Sequence, residues 1–181
     1  QLRGGHRTSV PVETRGRNFL NSEAAIQTLT AAGFRVEPLD LRKSSIVNTA
    51  ASHGTAHLVL APHGAGIANV IFCQPNATLV ELHNWGAQNF VYERYARTMG
   101  LNYVPLFCKD QEDCPVNTRL VRRTFGRDAA MPEPAAEDLC MRGVAAAEKV
   151  GYYATNHTLR DINADLTTLE TVAREVIGRL T

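Results

Sequence analysis

The chain has 181 residues, with 19 Lys and Arg against 18 Asp and Glu, for a formal charge of +1. That length suits one domain of two or three layers and is too short for two full ones. Near-balanced charge at ordinary apolar content argues against a nucleic-acid or membrane-surface partner, and no run reads as a membrane span or a signal peptide.

Residues 1–17 hold few apolar side chains and a Gly-Gly pair, and they read as loop or a frayed edge, or as the segment that follows a first strand lying upstream. Arg3, Arg7, Arg15 and Arg17 stand there against Glu13 alone. Asn21 or Ser22 caps a helix predicted to reach Ala32, with Ile26 and Leu29 on its buried side and Gly33 as its stop. Residues 34–39 alternate apolar and charged side chains as a strand does, and Pro38 marks that strand as near an edge or finishing. Ser44 or Ser45 caps a second helix that carries Ile46, Val47, Ala50 and Ala51.

The centre of the chain comes next. His57-Leu58-Val59-Leu60-Ala61 reads as a buried strand, Pro62-His63-Gly64-Ala65-Gly66 as a sharp turn, and residues 65–72 as a buried helix of two turns. A second short strand, Thr78-Leu79-Val80-Glu81-Leu82, comes after a break at Pro75 and Asn76. Residues 88–99 give another helical pattern, with Phe90, Val91, Tyr95 and Met99 apolar and Gly100 as its end; residues 101–107 read as a strand. Residues 108–134 read as connection, with a short strand at Leu120 and Val121, and residues 135–150 are helix-competent despite Gly143. A final helix over residues 163–180, capped by Asp161 or Asn163, aligns Leu166, Leu169, Val172, Ala173, Val176 and Ile177. Short strands alternating with helices predict an α/β fold whose mostly parallel sheet is covered on both faces.

In such a sheet ligands gather beyond the carboxyl ends of the strands, and a helix start there suits an anion. His63, in the turn after a buried strand, is the first candidate for holding a phosphate; the plain alternative is a turn histidine bonded to backbone. Gly64 and Gly66, flanking Ala65, are either ordinary turn glycines or positions where a ligand approaches the backbone. Glu81 at the end of the next strand can accept ribose hydroxyls or be a salt-bridged edge residue. Arg15 and Arg17 can form the other jaw of a phosphate clamp or be solvated. Asn69 is a ligand contact or a satisfied internal polar group. The turn lacks the spacing of a P-loop or a dinucleotide fingerprint, and no protease, hydrolase or metal-enzyme motif is present, so no metal is expected.

The four cysteines are Cys73, Cys108, Cys114 and Cys140, with no CxxC pair. A local disulfide between Cys108 and Cys114 is geometrically reasonable, as are two free or separately paired thiols. Asn76-Ala77-Thr78 and Asn156-His157-Thr158 match the glycosylation sequon, which has meaning in a secreted eukaryotic protein.

The segment Pro62-His63-Gly64-Ala65-Gly66-Ile67-Ala68-Asn69-Val70-Ile71-Phe72, with Pro75 and Val80-Glu81-Leu82 behind it, closely resembles the signature of glycosyltransferase family 61. The likeness reaches back to Arg15-Gly16-Arg17-Asn18-Phe19-Leu20-Asn21. It reaches forward through Tyr92-Glu93-Arg94-Tyr95-Ala96 and Gly100-Leu101-Asn102-Tyr103, then from Tyr152-Tyr153 to Asp161-Ile162-Asn163-Ala164-Asp165. Residues 108–151 match it weakly. That family includes plant xylan arabinosyl- and xylosyltransferases and the O-linked N-acetylglucosaminyltransferases of the animal secretory pathway.

The resemblance implies a Rossmann-like three-layer domain over residues 1–181, the C-terminal, donor-binding half of a GT-B enzyme that inverts the anomeric centre. The donor would be a nucleotide sugar, usually a UDP-sugar, used without a tightly bound cofactor, and the acceptor a glycan or protein hydroxyl. His63 would serve catalysis; Arg15 or Arg17, His63 and the turn from Gly64 through Ala65 to Gly66 would face the diphosphate; Glu81 would lie near the ribose or sugar. The N-terminal domain of the same protein, which would carry the general base, is absent from these residues, so the isolated piece should not turn over. The alternative is a non-catalytic nucleotide- or sugar-binding relative, or an interaction module. The compartment implied is the Golgi or endoplasmic reticulum lumen for a eukaryotic chain and the cytoplasm otherwise.

Overall fold

The structure is a computed structural model that describes residues 6–10, 13–14, 17–84, 91–108 and 161–181. In chain order the elements are β1 (His6–Val10), β2 (Glu13–Thr14), β3 (Arg17–Asn18), α1 (Ser22–Ala31), β4 (Phe34–Pro38), α2 (Ile46–Gly54) and β5 (Leu58–Pro62). A 3₁₀ helix (Ala65–Phe72), β6 (Thr78–His83), α3 (Val91–Thr98), β7 (Asn102–Phe107) and α4 (Leu166–Leu180) complete them. Five strands form one sheet in the order β4-β1-β5-β6-β7, every neighbouring pair parallel. Counted along the chain this is 2-1-3-4-5, a doubly wound order that reverses direction between β1 and β5.

β1 corrects the expectation of loop before residue 17. It pairs with β4 on one side and β5 on the other, at the middle of the sheet. Its His-Arg-Thr-Ser-Val composition hides this, because it lacks the apolar run that marks a central strand. Ser9 is buried there, and its hydroxyl has no hydrogen-bond partner among the described residues.

β5 and β6 are buried on both faces. Leu58, Leu60, Val80, Leu82 and Leu106 pack against α1 and α4 through Leu29, Leu169, Val172 and Val176. Val59, Ala61 and Leu79 face the other layer, with Ile67 and Val70 of the 3₁₀ helix and Ala96 of α3. Successive strand residues point to opposite faces, so Glu81 and His83 share the Leu79 face. That alternation delivers two polar side chains into an interior otherwise filled with aliphatics.

α1 starts at Ser22 after Asn21, as expected, and ends at Gly33, whose φ of 105° suits glycine. Asn21 does not cap with its side chain; its amide bonds both ways with the backbone of Ala164, at 2.9 and 2.8 Å. β4 is an edge strand ending at Pro38, as its proline requires. Ser45 caps α2 by accepting from the Asn48 amide at 3.1 Å. The buried residues of α2 are Thr49 and His53, whereas Ile46 and Val47 are 64% and 72% exposed.

α3 and β7 fall within the predicted helix and strand, and Phe90 lies outside the described residues. α4 begins three residues later than expected, capped by Asp165, whose carboxylate accepts from the Thr167 and Thr168 amides. Asp161 instead accepts from the backbone and side-chain amides of Asn18 at 2.8 and 3.2 Å. Phe19 and Ile162 form a parallel bridge beside it. Cys108 Sγ lies 3.4 Å from the Asn163 carbonyl. The elements expected over residues 108–134 and 135–150, the Cys108–Cys114 pairing and the Asn156 sequon lie, wholly or in their second half, outside the described residues. No helix among the described residues is long and apolar enough to cross a membrane.

Candidate functional site

β5 ends at Pro62, level with Leu82 of β6, and the His63 amide continues the ladder by donating to the Leu82 carbonyl at 2.8 Å. His63 is therefore fixed by backbone at the carboxyl end of the sheet, beside His83, which pairs with Phe107 of β7. The 3₁₀ helix starts two residues later, with the Ile67 amide donating to the Gly64 carbonyl at 3.0 Å. By the i→i−3 pattern, the Ala65 and Gly66 amides that precede Ile67 have no acceptor within the helix. An eight-residue 3₁₀ run is long for that conformation; it replaces the two-turn buried helix expected from the sequence.

The centre of the site is Glu81, which has no exposed surface. One carboxylate oxygen, Oε1, takes a short hydrogen bond from His63 Nδ1. The other, Oε2, accepts from the Tyr103 hydroxyl at 2.7 Å and lies 3.4 Å from His83 Nε2. His83 Nε2 in turn donates to the Tyr103 oxygen at 3.0 Å. Burial pushes the Glu81 carboxyl up, but the bonds from His63, His83 and Tyr103 outweigh it and hold the group at about 2. Burial first, and then the neighbouring Glu81 charge, pushes the Tyr103 phenol up, so it stays a donor.

These bonds fix the proton positions. An ionised carboxylate only accepts, so His63 carries its proton on Nδ1, and Nε2 is the nitrogen left for a ligand. His63 is 8% exposed and no other residue bonds its ring among those described. Tyr92 of α3 stands edge-on to that ring, with centroids 5.4 Å apart, and His83 stacks on it at the same separation. His83 itself stacks on Phe107 at 5.0 Å, and its Nδ1 is buried without a partner among the described residues. One ligand atom each from His63, Glu81 and His83 lies within 4.8 Å of the others, a separation a divalent ion could bridge.

The other predicted site residues fare differently. Gly64 is half-buried and Ala65 exposed, at the mouth of the turn. A Cβ on Gly66 would come within 2.7 Å of Leu41 Cδ1, so this glycine makes room for a side chain of its own fold. The Asn69 amide donates to the Gly66 carbonyl at 2.9 Å, inside the 3₁₀ helix. Glu81 faces His63 and Tyr103, with both oxygens occupied. Arg15 lies outside the described residues, as does the side chain of Arg17, whose backbone is in β3.

Sequence reasoning misses His83, Tyr103 and Tyr92 as members of the site. The available signal is Glu and His two apart in an otherwise apolar strand, which puts both on one interior face. A cleft of about 290 Å³, lined in part by His57, Pro75 and Asn76, opens at the amino ends of β5 and β6. It is at the wrong end of the sheet for ligand binding in this architecture.

Comparison with known proteins bears on this corner. The family model for glycosyltransferase 61 matches residues 7–80, which include β1, β5 and the His63 turn. The beta-1,2-xylosyltransferase XAX1 of Oryza sativa subsp. japonica is 26% identical over 171 residues, covering 91% of this chain and 27% of that protein. The alpha-1,3-arabinosyltransferase XAT3 of the same plant is 30% identical over 94 residues, 49% of this chain and 16% of that protein. The chain thus spans about a quarter or less of the curated relatives it matches. A flavodoxin from the domain Archaea, a solved structure, is similar with a TM-score of 0.41 at 11% identity, covering 81% of this chain and 99% of that one. Over part of its length, then, the chain is similar to glycosyltransferase 61 domains.

Proposed function

We propose that this chain is the donor-binding domain of a glycosyltransferase 61-type enzyme, the C-terminal half of a GT-B fold, and that it takes a nucleotide sugar, most simply a UDP-sugar. The observation that carries the reading is His63: it stands at a strand's carboxyl end, next to a helix start, with its inner nitrogen locked on a buried carboxylate. A proton on Nε2 makes the ring an imidazolium whose charge Glu81 balances from below, so the ring can donate to a diphosphate oxygen. Together with the amides of the first 3₁₀ turn it would stabilise the charge that develops as the bond between anomeric carbon and phosphate oxygen breaks. Arg15 or Arg17 would add a second cation.

In this reading the acceptor is a glycan or protein hydroxyl. Its oxygen forms the new bond to the anomeric carbon from the opposite face, its proton goes to a general base in the partner N-terminal domain, and the nucleoside diphosphate leaves. Glu81 holds His63 rather than touching ribose, and no step requires a metal.

The test is a thermal-shift titration of the 181-residue chain. UDP and UDP-sugars at millimolar concentration should raise its melting temperature more than CDP- or ADP-sugars do, and His63→Ala should remove most of that shift while the fold is retained. No shift with any nucleotide sugar rejects the reading. An undiminished shift in the variant puts the pocket elsewhere.

A further inference from the structure

We propose that Tyr103 is a positioning residue for His63, acting through Glu81, and that His83 completes the clamp. This deepens the donor-binding reading and rests on it for its ligand. Tyr103, Glu81 and His83 come from the neighbouring strands β6 and β7.

A carboxylate at the end of a buried strand has rotational freedom about its last bonds unless both oxygens are held. Here Tyr103 holds Oε2 at 2.7 Å, while His63 takes Oε1. The Tyr103 hydroxyl is itself held by His83 Nε2 at 3.0 Å, and His83 is pinned in its plane by Phe107 on one side and His63 on the other. The donations converge on Glu81, from His83 through Tyr103 to Oε2 on one side and from His63 to Oε1 on the other. The outcome is one tautomer and one orientation for the imidazole: Nδ1–H inward, Nε2 outward. Without the phenol, Oε2 becomes a buried anionic oxygen whose nearest donor is His83 Nε2, now 3.4 Å away. Glu81 would then turn toward His83 to recover that bond and would release His63.

A lone buried tyrosine hydroxyl could serve packing alone, so the test uses a readout that packing does not move. In the 15N-labelled 181-residue chain at mildly alkaline pH, long-range proton–nitrogen correlation should show His63 with Nδ1 protonated and Nε2 bare. Tyr103→Phe, which keeps the ring volume, should retain the circular-dichroism spectrum and turn this single tautomer into an averaged pair. UDP affinity should fall roughly tenfold, the order seen when an orienting partner is removed. Glu81→Gln should average the tautomers as well.

A single unchanged His63 tautomer in Tyr103→Phe overturns the proposal, whether or not UDP binds. Tautomer averaging in a chain that never binds UDP upholds the clamp and rejects the donor-binding reading. Zn²⁺ added alone, if it moves the His63 and His83 nitrogens together at one equivalent, makes the cluster a metal site and overturns the proposal. A response only at large excess of Zn²⁺ supports it.

Discussion

The Tyr103 hydroxyl donates to Glu81 across the pair of parallel strands β6 and β7, at 2.7 Å and from two residues below the level of the carboxylate's own strand partner, Pro105. The contact joins an edge strand to a fully buried anion. Whatever faces the outer nitrogen of His63 is thus referred back, through two hydrogen bonds, to the rim of the sheet.

The ionisation of Glu81 should be visible in stability. Its folded pKa of about 2 lies below the ordinary 4.5, so its contribution is present above pH about 4.5 and is lost as pH falls toward 2. The shift corresponds to roughly 3 kcal/mol. Urea unfolding of the chain and of Glu81→Gln across that window should show the gap between them narrowing by about that amount. A gap independent of pH would mean that the carboxylate is not held as the structure shows.

His53 should act in a different window and with the other protonation state. It is buried on α2, where desolvation lowers its pKa despite the bond between Nδ1 and the Thr49 carbonyl. The unfolded chain then binds a proton that the folded one refuses, so stability should decline as pH drops below about 6.5, by at most about 1.4 kcal/mol per pH unit. His53→Gln, which keeps a donor, should flatten that slope in denaturant titrations between pH about 7 and 5.

Gly66→Ala separates fold from ligand at the turn. The new methyl meets Leu41 Cδ1, the movable end of a half-buried side chain, so its cost should lie at or below the lower end of the roughly 1–3 kcal/mol of overpacking a closed core. Combining it with Leu41→Ala should restore most of that loss beyond the cost of Leu41→Ala alone, a coupling that a double-mutant cycle measures directly. Additive losses would show that the glycine is not there to accommodate Leu41.

The faces of α2 and β5 give an opposed pair. Ile46→Lys and Val47→Lys, at exposed positions, should change stability by no more than about 0.5 kcal/mol. Leu60→Ala, in a strand covered on both faces, should cost about 2–5 kcal/mol. Destabilisation by either lysine beyond about 1 kcal/mol, the size of a buried-residue effect, would mean that the start of α2 is covered in solution.

Much of the frame was legible because its signals are local. The apolar run before Pro62, the stop at Gly33, the cap at Ser45 and the stripe on the last helix each report on a few neighbouring residues. β1 was not legible, since a polar strand becomes central only through partners supplied by residues 34–38 and 58–62. The buried face of α2 was not legible either, because a helix buries what its neighbours accept, and here they accept Thr49 and His53. At the site, His63 and Glu81 were both picked out, but as separate contacts to a ligand. Their bond to each other depends on the register of β5 against β6, and that of Tyr103 on β6 against β7, which no window of sequence contains.

The strap between Asn18 and Asp161, beside the Phe19–Ile162 bridge, has an architectural consequence. Cys108 at the end of β7 sits against Asn163, so the chain departs and returns at almost the same point of the fold. The described chain therefore leaves β7 and resumes ahead of α4 at neighbouring points, and exchanging what lies between for a short spacer would alter loop-closure entropy by only about 1–2 kcal/mol.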